Sequence, residues 1–344
     1  MWLTCSSIGR KFVMAITGAC LVLFVTFHVL MNSVALLWPA AYNVICEFLG
    51  ANWYALVASA GLALLFIIHI IYALWLTVQN RRARGNDRYA IAGAAPGVEW
   101  SSKNMLVLGI VVVAFLIVHL IQFWAKMQLQ ELVSHELTAL PVVGEAPAAP
   151  HFGTLFLQAA FENWWTPVIY IVGFIALWFH MNHGFWSMFH TIGWDNNTWL
   201  PRLKSIACWW TSVVVLLFIA QAVLFTVQAN NKFFLTDQAL QEQYAEFWAE
   251  KGEALIEEFQ QEVTAATTGD NVISQQQAQI DFFAERGEYF GKTAEAISNA
   301  AAAQAPAVKL PALQQLGQFA TVINRETERA AQLKKTNESA NNNQ

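Results

Sequence analysis

The sequence predicts an all-α membrane protein: a five-helix transmembrane bundle followed by a C-terminal helical extension outside the membrane. Of the 344 residues, 56% are hydrophobic and only 12% are charged, about half the charged fraction usual in soluble domains. Residues 1–228 carry ten Lys/Arg and eight Asp/Glu, whereas residues 229–344 carry nine and sixteen. The chain therefore divides into an apolar membrane domain, 1–228, and an acidic, mostly helical extension, 229–344. Neither part has the clustered basic face that predicts nucleic-acid binding.

Five apolar segments of the first domain reach the roughly 20 residues that cross a hydrocarbon core. They cover residues 12–37, 54–79, 104–127, 164–189 and 204–228. The apolar stretch of the first segment is much longer than the roughly 7–15 residues of a secretory signal core. The first segment is therefore predicted to be an uncleaved span.

The predicted loops differ in basic residues. Loops 38–53 and 128–163 contain no Lys or Arg. The N-terminal segment and the other two loops contain Arg10, Lys11, Arg81, Arg82, Arg84, Arg88, Lys103, Arg202 and Lys204. By the positive-inside rule, the N-terminus is cytoplasmic and the C-terminal extension emerges on the opposite side of the membrane.

Histidines occur in four of the five spans, where an ionisable side chain is costly and is a functional candidate. Span one contains His28, span two His69 and span three His119, and span four contains both His180 and His183. A single buried histidine is usually a helix contact. One in each of four spans, with few carboxylates to form a proton relay, indicates a shared ligand role.

The depths of the histidines indicate two levels. With a helical rise of about 1.5 Å per residue, His28 and His119 lie about 24–25 Å from the cytoplasmic ends of their spans, and His69 and His180 about 15–17 Å. Imidazole is a common axial ligand of haem iron, and a six-coordinate haem takes one ligand on each side of its plane. We therefore expect two stacked b haems: a distal one held by His28 and His119, and a proximal one held by His69 and His180.

Other cofactors fit the sequence less well. The four cysteines, at positions 5, 20, 46 and 208, are scattered and form no iron–sulfur or c-haem motif. A glycine-rich nucleotide loop is absent from the sequence, so flavin or nicotinamide would have to be bound by another chain. Zinc needs ligands that converge at one point, which two depth levels do not provide.

These residues resemble a known family, the dihaem, single-subunit cytochrome b anchors of succinate:menaquinone oxidoreductases and fumarate reductases. Three features carry the resemblance. They are a histidine on each of the first four of five spans, the opening "SSIGRKFVMAITG", and the fourth-span pattern of His180, Gly184 and Trp186. The resemblance covers about residues 4–228. It implies the same ligand pairing as the depths, with His180 preferred as the fourth ligand. His183 is an alternative ligand or a neighbour of a haem propionate.

The resemblance also implies partners and a location. A flavoprotein with covalent FAD and an iron–sulfur subunit would dock on the cytoplasmic face of a bacterial inner membrane, so that FAD and Fe–S clusters belong to partner subunits only. This chain would hold two b haems and provide the site for a quinone, which in the resembled family is commonly menaquinone. The extension would be periplasmic. Membrane lipid surrounds the spans, and a homodimer of the whole complex is a further hypothesis.

Glu47 is the candidate proton-transfer residue of the quinone site. It is the only acidic residue in the first outer loop, where the family has a glutamate near the distal haem. A carboxylate there can take up or release quinol protons, although a solvated loop charge is an equal alternative. Some family members also have a membrane glutamate two residues before the fourth-span ligand. Here that position is Trp178, which leaves that proton path in doubt.

Two rival functions remain open on the sequence. Haem b subunits of hydrogenases, formate dehydrogenases or nitrate reductases also react with quinone, but they tend to place two ligands on one helix. A transporter or channel gated by histidines is a rival from a different class.

Helical spacing of apolar residues in the extension predicts three helices, and a small helical bundle is the preferred interpretation. The breaks are "TTGDN" at 267–271 and "APAVKLPA" before about 311. The last segment, "KKTNESANNNQ", has the composition of a disordered end.

Overall fold

The computed structural model describes residues 6–84, 99–133, 140–144, 146–267 and 272–341. Cys5 and Arg88, both used above, lie outside these ranges. Five described helices are long and apolar enough to cross a membrane: Ser7–Leu37, Trp53–Ala83, Trp100–Trp124, Trp165–Thr191 and Trp199–Asn230. The predicted set of five apolar spans is therefore confirmed.

The described chain is almost entirely helical. In chain order the α-helices are α1 Ser7–Leu37, α2 Pro39–Ala51, α3 Trp53–Arg84, α4 Trp100–His119, α5 Gln128–Val133, α6 Gly153–Phe161, α7 Trp165–Thr191, α8 Trp199–Asn230, α9 Phe233–Thr236, α10 Gln238–Ala266, α11 Val272–Gln304 and α12 Pro311–Asn341. A π-helical turn, Leu120–Trp124, continues α4. Strands β1 Val142–Val143 and β2 Ala146–Pro147 form a small antiparallel ladder.

The chain forms two compact units. The first contains residues 1–129 and 156–231, and the second contains residues 130–155 and 232–344. Segment 130–155, which the sequence predicts to belong to the membrane domain, thus groups with the extension. The reason is packing: buried Phe152 contacts Tyr244 and Phe247, and Gln304 Nε2 donates to the Pro147 carbonyl at 2.7 Å.

Local side-chain contacts explain where several first-unit helices begin. The Ser6 hydroxyl accepts a hydrogen bond from the Gly9 amide at the start of α1. The side-chain Oδ1 of Asn196 accepts from the Trp199 amide at the start of α8. These caps satisfy amides that have no partner within the helix. Pro39 begins α2, a position where its missing N–H costs nothing.

Within the first unit, α1 packs against α3, α7 and α8, and α7 packs against α4 and α8. Gln221 of α8 fixes one of these contacts, because its Nε2 donates to the Val29 carbonyl at 2.8 Å and to the Ser33 hydroxyl at 2.9 Å in α1. Trp178 Nε1 of α7 donates to the Ser212 hydroxyl of α8 at 3.0 Å. Polar contacts of this kind link helices where lipid offers no hydrogen-bond partner.

The second unit is built around α10, α11 and α12. Its core includes Trp248, Phe290, Ile297 and Leu316, all fully buried. Trp248 Nε1 donates to Gln304 Oε1 at 2.8 Å, which satisfies the buried indole. Helix α12 continues to Asn341, over residues whose composition indicated disorder, because the Lys, Glu and Ala of this segment are also good helix formers.

Candidate functional site: two histidine pairs

The histidines of four different spans meet as two pairs in the first unit. The ring centroids of His28 in α1 and His119 in α4 lie 5.8 Å apart, with ring planes at 87°. Those of His69 in α3 and His180 in α7 lie 6.3 Å apart, with planes at 65°. These are the two pairs that the depths predicted. Among the described residues, no group of three or more His, Cys, Asp or Glu side chains could hold a metal ion.

Aromatic side chains enclose the His28–His119 pair. His28 stacks on Phe24 at 5.4 Å, and Phe218 of α8 lies 6.2 Å from it. His119 contacts Phe115 at 6.0 Å and Phe123 at 5.3 Å. The pair therefore lies in apolar, aromatic surroundings.

The Nδ1 atom of His119 lies beside a network of polar side chains. It is 3.2 Å from the Tyr170 hydroxyl. That hydroxyl donates to Gln122 Oε1 at 2.9 Å, and Gln122 Nε2 donates to the Thr166 hydroxyl at 3.3 Å. Gln122 lies in the π-helical turn that starts directly after His119, and such turns occur frequently at functional sites.

Small residues lie against the rings of the second pair. A Cβ atom added at Gly18 of α1 would lie 3.7 Å from His69 Cε1, and one added at Gly109 of α4 would lie 3.6 Å from His180 Cε1. His69 Nδ1 is 3.1 Å from the Thr17 hydroxyl. The Nδ1 of His180 is buried and has no hydrogen-bond partner among the described residues.

His183, three residues after His180 in the same helix, lies in a separate network with Glu99 and Lys204. Its Nδ1 is 3.3 Å from one oxygen of Glu99, and Lys204 Nζ is 2.8 Å from the other. Burial raises the pKa of the Glu99 carboxyl, but hydrogen bonds from Lys204 and His183, together with their charges, lower it overall below its usual value. This geometry places His183 with Glu99, whereas His180 faces His69.

Glu47 is exposed in helix α2. The same helix is linked to the first pair, because the Tyr42 hydroxyl donates to Asn32 Oδ1 at 3.1 Å and Asn32 Nδ2 donates to the His28 carbonyl at 2.8 Å. Trp178, which stands where some members of the resembled family have glutamate, forms the neutral hydrogen bond to Ser212 described above.

No protein-family model, curated protein or solved structure matches the chain. The function of the chain is therefore inferred from the geometry of the four spans and their histidines.

Proposed function

We propose that this chain is the membrane-anchor cytochrome b subunit of a succinate:quinone oxidoreductase or quinol:fumarate reductase. It would pass electrons between a cytoplasmic flavoprotein–iron–sulfur pair and a membrane quinone, by way of two b haems with two histidine ligands each. One observation carries the proposal: four histidines from four apolar helices meet as two pairs with ring centroids 5.8 and 6.3 Å apart.

This spacing fits a metal ion between the two rings of each pair. A metal–imidazole bond measures about 2 Å, and the bonded nitrogen lies roughly 1 Å in front of the ring centroid. Two imidazoles on opposite sides of one iron therefore have centroids about 6 Å apart. The glycines beside His69 and His180 and the unpartnered Nδ1 of His180 also suit a site that a planar group occupies.

The residues have separate roles in this proposal. His28 and His119 would hold one haem iron, and His69 and His180 the other. When bound, these haems supply one-electron redox chemistry, which the protein tunes through its ligands and their surroundings. Glu47 would exchange protons with quinol at the outer surface. The dicarboxylate would be bound by the partner subunits, and the chain would lie in the bacterial inner membrane with a cytoplasmic N-terminus.

The visible spectrum of the purified full-length chain tests the proposal. We expect reduced-minus-oxidised bands of b-type haem and two haems per chain, because each histidine pair would hold one haem. A flavoprotein and an iron–sulfur protein should co-purify. A spectrum without haem bands would refute an electron-transfer role and favour a transporter, and co-purification with hydrogenase or formate dehydrogenase subunits would assign the chain to a different respiratory complex.

Glu47→Gln should slow quinone turnover by roughly 10²-fold or more, the usual contribution of a positioned proton donor or acceptor. Both haems should stay bound, and reduction of an artificial dye by the partner subunits should be unchanged. The control is Glu131→Gln, which neutralises a carboxylate of helix α5 in the other predicted outer loop. Equal quinone turnover in the Glu47 variant and the native chain would return Glu47 to the role of a solvated surface charge.

A further inference from the structure

The tyrosine beside His119 has a single hydroxyl proton, and the heavy atoms around it indicate the direction of its hydrogen bonds. Tyr170, only 4% exposed, donates to Gln122 Oε1 at 2.9 Å. The amide nitrogen of Gln122 is directed to Thr166, so the glutamine presents its oxygen to the tyrosine. Because the hydroxyl proton of Tyr170 is donated to Gln122, the Tyr170 oxygen can only accept from His119 Nδ1, 3.2 Å away.

This direction fixes the tautomer of His119. A neutral imidazole carries one N–H, and the nitrogen that lacks it has the lone pair that binds a metal. With Nδ1 protonated and donating to Tyr170, Nε2 is left as the free acceptor. In this tautomer, His119 would bind a metal through Nε2.

The other pair contains a similar arrangement with different residues. The Thr17 hydroxyl donates to main-chain carbonyls of its own helix, at 2.9 Å to Val13 and 3.2 Å to Met14. With its proton donated to a carbonyl, the Thr17 oxygen would accept from His69 Nδ1, 3.1 Å away. In each pair, a hydroxyl from a neighbouring helix thus lies within hydrogen-bond distance of the Nδ1 of one histidine.

We propose that Tyr170, oriented by Gln122, is a positioning residue that fixes the tautomer of His119 and sets the redox potential of the haem held by His28 and His119. The redox part of this inference rests on the proposed function, whereas the tautomer does not. An acceptor on Nδ1–H makes a ligating imidazole more basic, and such outer partners change metal affinity by about 10–100-fold. A more basic ligand favours oxidised over reduced iron, so Tyr170 lowers the potential.

Redox titration of the purified complex tests the proposal. Tyr170→Phe should raise the midpoint potential of the His28–His119 haem by about 59 mV or more, which corresponds to a tenfold change in relative affinity for a one-electron couple. Gln122→Leu, which removes the acceptor of the Tyr170 proton, should raise the same potential by less. Thr17→Val should raise only the other potential. Tyr54→Phe, at an exposed tyrosine beside Trp53, should move neither.

A tautomer measurement covers the case in which the chain binds no haem. In the full-length chain with ¹⁵N-labelled histidine, His119 should show a protonated Nδ1, and Tyr170→Phe should give a mixture of tautomers. The His119 signals are identified by their loss in His119→Gln. Unchanged potentials and an unchanged Nδ1 signal in both Tyr170→Phe and Gln122→Leu would overturn the proposal. Absence of haem with the expected Nδ1 signal would instead refute the proposed function alone.

Discussion

Replacing either His69 or His180 with alanine should remove the same haem, and replacing both should remove no more. In the proposed site, each substitution would leave the iron with one protein ligand and open a cavity where the imidazole packed. The centroids of the two rings lie 6.3 Å apart. If both bind one haem they act as a unit, and the effects of groups that act as a unit are not additive. His28→Ala and His119→Ala should likewise remove the other haem.

Haem content and redox titration of the four single and two paired variants would check this pairing. Each single variant should keep half of the native haem, and the cross-pair variant His69→Ala/His119→Ala should keep none. His190→Ala is the matched control, because His190 is exposed at the end of α7 and lies 3.3 Å from Asp195. The pairing is wrong if His69→Ala and His180→Ala deplete different haems, or if His183→Ala loses haem while His180→Ala does not.

The histidine pairs were predictable because helix geometry is nearly invariant. A fixed rise per residue converts a position in a span into a depth, and the basic loops align the four spans to a common surface. His28 and His119 therefore fall at one level and His69 and His180 at another, whatever the detailed packing. Choosing between His180 and His183 needed more, because the two lie about one helical turn apart. On the sequence, a family resemblance favoured His180 and left His183 as an alternative.

The residues that support the ligands were not predictable in the same way. Tyr170, Gln122 and Thr17 are ordinary polar residues within apolar helices, and their roles depend on how each helix is rotated about its axis. Gln122 also lies in a π-helical turn, where the 3.6-residue period that relates sequence to helix faces fails. The available signal in the sequence was the presence of hydroxyl and amide residues within a few helical turns of His119, because polar groups in lipid need hydrogen-bond partners.

The sequence also did not predict that segment 130–155 belongs to the second unit. Its short helices and two-residue strands have too few residues for a periodic signal. Phe152, only 2% exposed, shows why the segment belongs to the second unit: its ring contacts Tyr244 at 4.8 Å and Phe247 at 5.1 Å. Such long-range aromatic contacts appear only when the chain is folded.

Gly173→Ala should destabilise the first unit and disturb the His28–His119 haem selectively. A Cβ at Gly173 would lie 2.8 Å from both Cβ and Cδ2 of Phe115, closer than real Cβ contacts allow. Phe115 cannot move aside easily, because its ring packs against Tyr170 at 5.0 Å, Phe174 at 5.4 Å and His119 at 6.0 Å. Inserting a methyl group into a packed site costs about 1–3 kcal/mol, and here the displaced ring lies against a ligand.

Thermal unfolding and haem content of the purified chain would measure both effects. Gly61→Ala is the control, since a Cβ there meets nothing within 4 Å. It should raise stability slightly, because alanine is a better helix former than glycine, and it should leave haem content unchanged. Phe115→Leu in the Gly173→Ala background should restore part of the lost stability, because it removes the ring that the new methyl group meets, and neighbouring substitutions couple in this way. If Gly173→Ala is as stable as Gly61→Ala, α4 and α7 do not approach as closely as this contact requires, and the placement of Tyr170 beside His119 would fail with it.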